Sequence, residues 1–165
     1  KVGAVIVDIA GDVFSSGYNE APAANNTCKC EYGMCFRDKL KKDYKETLGS
    51  VIKKSKEREA AYTLFKKNFK ILDYCRALHA EENAILNVAR VGASAALPAS
   101  TLFTTTYPCN LCANKIAQVG IKHIVYFEPY PMEEAKKILE DKGVEQESFE
   151  GVTYNGYFRL MEGLF

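Results

Sequence analysis

The chain opens on a nearly unbroken apolar run, Val2-Gly3-Ala4-Val5-Ile6-Val7, followed by a turn at Ala10-Gly11-Asp12 and a second strand-like run from Val13 to Tyr18. Short runs bounded by turn residues predict an antiparallel hairpin, and the first strand is too apolar to be left open to water. From His79 onward the apolar spacing alternates between helical and strand periods. It predicts helices at Ala80–Val91, Cys109–Val119 and Met132–Lys142, strands at Thr101–Thr105 and His123–Phe127, a loop at Gly92–Pro98 and a short final segment. Strand–helix alternation implies a parallel portion in a sheet with helices packed on it, which sets the class as α/β.

Between these two parts the pattern changes. Asn19 to Asn26 is a Pro/Ala/Asn loop, three cysteines follow in close order, and a lysine-rich helical stretch runs from roughly Asp43 to Tyr74. Leu64, Phe65, Phe69 and Leu72 lie on one apolar stripe of that stretch, which reads as core or subunit contact. The whole is read as one domain over residues 1–165 with an insert at about 27–76. So apolar a first strand is a poor natural terminus, and further sequence is expected upstream.

Composition narrows the class. The chain has 165 residues, 47% of them hydrophobic, with ten Tyr and nine Phe, enough for one core without disulfides. No run of about eighteen apolar residues and no charged-then-apolar leader is present, so a soluble, cytoplasmic protein is expected. The formal charge of +1 hides an asymmetry: Arg37 to Lys70 holds ten Lys and two Arg against five acidic residues. That local +7 leaves −6 for the rest of the chain. Such a stretch either attracts phosphates or forms a solvated helix.

The densest chemistry lies in His79-Ala80-Glu81 and, some thirty residues on, Pro108-Cys109-Asn110-Leu111-Cys112. One imidazole and two thiolates suit tetrahedral zinc and leave a fourth position for water. Glu81, two residues from the histidine, is placed as a non-ligand carboxylate that takes a proton from water and returns it to substrate. Helices starting near Ala80 and Cys109 would carry these groups at their N-termini, where the helix dipole favours thiolate. Glu82 should point elsewhere, because neighbouring helical side chains diverge by about 100°.

At these residues the chain resembles the deoxycytidylate deaminase family of the zinc-dependent cytidine-deaminase-like superfamily. The resemblance runs through residues 2–7, Gly17-Tyr18-Asn19, His79-Ala80-Glu81-Glu82-Asn83-Ala84-Ile85, Thr101-Leu102-Phe103-Thr104-Thr105 and Pro108 to Tyr126. It implies a three-layer α/β/α fold around a mixed five-stranded sheet, with His79, Cys109 and Cys112 as zinc ligands and Glu81 as proton shuttle. It further implies a substrate-binding set of Asn19, Ala80, Thr105 and Tyr126, with Asn19 on the sugar hydroxyl. The expected reaction is deamination of a deoxycytidine nucleotide, dCMP or dCTP, by a homo-oligomer. Asn19-Glu20-Ala21-Pro22 and the segment 149–158 are similar to the deaminase halves of bacterial anti-phage proteins that deplete such nucleotides.

Cys28, Cys30, Cys35 and Cys75 stand outside the catalytic motif. Two readings are open: a closed second, structural zinc site, or free thiols. Two other functions compete with nucleotide deamination, namely deamination of a base in RNA or single-stranded DNA along the basic stretch, and a zinc-stabilised interaction module without turnover.

Overall fold

The computed structural model describes residues 2–22, 27–68, 75–130 and 132–151. It divides into two compact units, Lys1–Tyr18 with His79–Phe165, and between them in sequence Asn19–Leu78.

The first unit is built on a five-stranded mixed sheet. Its strands are β1 (Gly3–Val7), β2 (Val13–Tyr18), β3 (Thr101–Thr106), β4 (His123–Glu128) and β5 (Glu145–Ser148), ordered β2-β1-β3-β4-β5. β1 pairs antiparallel with β2 and β3, while β3–β4 and β4–β5 are parallel. The hairpin turn is closed by Asp8, whose Oδ1 accepts from the backbone N–H of Ala10 and Asp12, with Gly11 at φ 92° between them. Of the short final segment expected after the Met132–Lys142 helix, the described residues form β5, an edge strand of the sheet; residues 152–165 lie outside the described residues.

Register explains the core. Ile6 lies opposite Leu102, and Leu102 opposite Ile124; all three are fully buried. They join Val88, Ile116 and Leu139 in one cluster, supplied by the helices α4 (Ala80–Arg90), α5 (Asn110–Val119) and α6 (Glu133–Asp141). Side chains alternate across a strand, so Gly3, Val5, Phe103, Thr105, Val125 and Phe127 point to the other face. There, with Phe149, they line an apolar cavity of about 690 Å³.

The second unit is helical. Helix α1 (Cys28–Tyr32) is capped by Thr27, whose Oγ1 accepts from the Cys30 N–H at 3.2 Å, and is stopped by Gly33 in the left-handed region. The helical stretch expected from roughly Asp43 to Tyr74 falls, among the described residues, on two helices, α2 (Phe36–Val51) and α3 (Ser55–Asn68). The break follows Gly49-Ser50-Val51-Ile52, a run of weak helix formers, after which Ile52 adopts extended backbone at φ −103°, ψ 113°. Tyr44 stacks on Phe65 at 3.8 Å between centroids, joining α2 to α3. Of the expected stripe, Phe65 is half-buried and Leu64 is 60% exposed; Phe69 and Leu72 lie outside the described residues.

Candidate metal centre and active site

The site begins with the packing of α4 on β2. Ser15 Oγ donates to the Ala84 carbonyl at 2.7 Å, Asn83 Nδ2 to the Tyr18 carbonyl at 3.1 Å and Asn87 Nδ2 to the Ser16 carbonyl at 2.9 Å. Gly17 permits this approach. A Cβ there would stand 2.2 Å from the Ala80 carbonyl oxygen and 2.4 Å from the Ala84 nitrogen, backbone atoms that cannot move aside. Gly17 sat in the resembling segment without an assigned role, since a close approach is visible only once the helix is in place.

His79 is the N-cap of α4, in extended backbone, and its N–H donates to Glu82 Oε2 at 3.4 Å. Glu82 also forms an ion pair with Lys115 of α5 at 3.1 Å, tying the two helices together, and it is not part of the His79, Cys109 and Cys112 group. Cys109 is the N-cap of α5, and Cys112 follows in its first turn. The spacing therefore puts both sulfurs at a helix end whose free N–H groups favour negative charge.

His79 Nδ1 lies 3.3 Å from Cys109 Sγ and 3.5 Å from Cys112 Sγ. Zinc held tetrahedrally, with sulfur at about 2.3 Å and nitrogen at about 2.0–2.1 Å, sets sulfur and nitrogen about 3.5 Å apart. Donor types and spacing both fit that ion. Among the described residues this trio is the single group of three or more His, Cys, Asp or Glu with ligand atoms within 4.8 Å of one another. Cys28, Cys30, Cys35 and Cys75, all described, form no such group.

The electrostatics pair the imidazole with one of the two sulfurs. The hydrogen bond from Cys112, together with one from His79, brings the Cys109 thiol down to about 3 against the opposing effect of burial. Cys112 is pushed up, first by its bond to Cys109 and then by burial and the charge of Glu81. His79 is raised by its bond to Cys109, against burial, and by the acidic groups around it. Glu81 is 4% exposed, and burial raises its carboxyl above the ordinary range. A buried set rich in potential negative charge is one that a divalent cation completes.

The substrate-binding candidates are not gathered in the same way. Ala80 is fully buried as the first residue of α4, beside the ligands. Thr105 is turned by strand alternation to the face opposite the helices, where its Oγ1 accepts from the Gly3 N–H at 3.0 Å. Tyr126 on β4 meets Tyr107 edge-on at 4.9 Å and lines a cavity of about 420 Å³ beyond the ends of β3 and β4. Asn19 directly follows β2 and opens the second unit.

Residues 1–128 match the family model of the cytidine and deoxycytidylate deaminase zinc-binding region. The deoxycytidylate deaminase of Enterobacteria phage T4 is 35% identical over 159 residues, covering 88% of this chain and 77% of that protein. That of Mycobacterium phage D29 is 32% identical over 126 residues, covering 76% and 77%. A dCMP deaminase from the cyanophage S-TIM5, solved in complex with dCMP and dUMP, matches with TM-score 0.56 and 26% identity over 90% of this chain and 81% of that one. Ligand trio, buried acid, sheet order and these likenesses lead to one conclusion: the chain belongs to the cytidine and deoxycytidylate deaminase family.

Proposed function

We propose that this protein hydrolyses dCMP to dUMP and ammonia, with one zinc ion held by His79, Cys109 and Cys112. The observation that carries the reading is the convergence of those three donors beside the buried Glu81, in a chain similar to the deoxycytidylate deaminases of phages T4 and D29. Zinc in this set supplies Lewis acidity that brings water into reach of deprotonation near neutral pH.

The protein's own groups carry the protons. Glu81 takes one from the attacking water and delivers it to N3 of the cytosine ring, which makes C4 electrophilic. It then takes the remaining proton from the hydroxyl added at C4 and passes it to the exocyclic amine; the C4–N bond breaks, ammonia leaves and the C4 carbonyl of dUMP forms. A carboxyl raised by burial holds a proton closer to neutral pH than a solvated one, as both transfers require. Ala80, at the start of α4, and Tyr126, on β4, are assigned to the substrate wall; Asn19 is assigned to the sugar hydroxyl. The anti-phage reading rests on short segments, of which residues 152–158 lie outside the described residues.

The deciding experiment incubates zinc-loaded protein with dCMP, dCTP, CMP, cytidine and a single-stranded oligonucleotide and follows ammonia. Release from dCMP above all others is expected. Release from the oligonucleotide alone moves the activity to nucleic acid, and release from none leaves a zinc-stabilised module.

A further inference from the structure

Within the helical unit, α2 and α3 enclose a groove of about 620 Å³ lined by Lys45 and Gly49 of α2 and Ser55, Arg58, Tyr62 and Lys66 of α3. Of the other described cations of these helices and their connection, four are paired with acids, while Arg37, Lys53, Lys56 and Lys67, like the groove cations, have no carboxylate within 4.0 Å among the described residues and do not line the groove. Lys39 is paired with Asp43, Lys41 with Asp38, Lys42 with Glu46 and Lys54 with Glu57. Among the described residues, the three cations lining the groove have no carboxylate within 4.0 Å, although Glu59 stands in its wall.

They are nevertheless held in place. The Nζ of Lys45 and of Lys66 lie 5.7 and 5.0 Å from the centroid of the Tyr62 ring. Gly49 has no side chain to fill the groove; a Cβ there would find Arg58 Nη1 as its near neighbour, at 3.8 Å. Three positive charges around one cleft repel one another, and the nearby hydroxyls of Ser55 and Thr63 add donors without adding negative charge.

We propose that this groove is a binding site for a compact polyphosphate anion. Several phosphate groups on one short chain would satisfy three cations and two hydroxyls within a single cleft. An extended single strand of nucleic acid fits less well. It needs cations spaced along a track; four lysines on this hairpin are matched by acids one turn away, whereas Lys45, Arg58 and Lys66 converge on one cleft. The Tyr62 ring is taken up by two ammonium groups, so the groove reads the phosphate chain rather than an attached base.

Calorimetric titration of sodium tripolyphosphate into the purified chain tests this, with orthophosphate and an oligothymidylate as parallel arms. Tripolyphosphate should bind at one site per chain and more tightly than orthophosphate. Lys45→Gln, Arg58→Gln and Lys66→Gln should each weaken it by roughly tenfold, the loss of one charge-assisted contact. Lys42→Gln, on the same hairpin but acid-paired, should leave it within about twofold. Absence of binding overturns the proposal. So does heat that persists unchanged in all three groove variants, which would report chelation at the metal centre, and so does affinity that grows with oligothymidylate length, which would report diffuse attraction.

Discussion

Two cysteine clusters in one chain have different outcomes. Cys109 and Cys112 lie three residues apart at the N-terminus of a ten-residue helix, half-buried and buried, with an imidazole within 3.5 Å of both sulfurs. Cys28, Cys30 and Cys35 are nearly as close in sequence, yet Cys30 and Cys35 are exposed and Cys28 opens a five-residue helix. Cys35 has an arginine for company instead: burial acts to raise its thiol, but hydrogen bonding from Arg37 outweighs this and holds it below the ordinary value. In this second cluster, close cysteine spacing does not gather three ligand atoms among the described residues. A metal centre also needs burial that penalises free charge, helix ends that supply N–H groups, and a third donor brought from another element.

The sharpest way to break this comparison is to substitute one residue at a time in each cluster. His79→Ala or Cys112→Ala should lower bound zinc from about one ion per chain to almost none and abolish turnover, since two remaining protein donors hold zinc poorly. Cys28→Ser, Cys30→Ser, Cys35→Ser and Cys75→Ser should leave the zinc content unchanged. Elemental analysis of the purified variants decides it, and two ions per wild-type chain would refute the contrast.

A smaller effect separates binding from chemistry inside the first cluster. Glu81→Gln keeps shape and burial but cannot accept a proton, so zinc should stay while dCMP turnover falls by about 10²–10⁴-fold, the usual contribution of a positioned acid–base group. Turnover within tenfold of wild type in a zinc-loaded variant would take Glu81 out of the mechanism.

Next comes the scaffold. Gly17→Ala would push a methyl group into the α4 backbone, at 2.2 Å from the Ala80 oxygen. The loss of stability should be about 3 kcal/mol, seen as a fall in Tm of roughly 6–12 °C. Gly11→Ala, where nothing lies within 4 Å, provides the control for backbone strain without collision.

These residues differ in how far sequence alone reveals them. His79, Glu81, Cys109 and Cys112 were legible because few residue types do metal and proton chemistry, and their spacing fits helix ends. The hairpin, the parallel strands and the helices from Ala80 onward were legible because each strand and helix has one clear apolar period. The break between α2 and α3 was hidden by lysines and acids that recur at helical spacing on both sides of it. Gly17 and the α2–α3 groove were not legible at all. One depends on a backbone approach from 63 residues away in sequence, between Gly17 and Ala80, and the other on which lysines keep a carboxylate partner.

The smallest expected effect concerns how the exposed cluster is tied together. Arg76 Nη1 donates to Glu31 Oε2 at 2.5 Å and Nη2 to Tyr32 Oη at 2.8 Å, joining the end of the unit to α1. The Arg76 hydrogen bond holds the Glu31 carboxyl below its ordinary value. A depressed carboxyl pKa means that the unfolded chain takes up a proton at higher pH than the folded one. The pair's contribution is then complete above the ordinary carboxyl range and disappears as pH falls through the depressed value. Both side chains are well exposed, so the difference in Tm between wild type and Arg76→Gln should be small and should shrink in high salt. It should also vanish in acid. A difference that persists unchanged in acid would assign the stabilisation to the guanidinium lying 5.4 Å from the Tyr32 ring and 5.5 Å from the Phe36 ring, a contact indifferent to the protonation of Glu31.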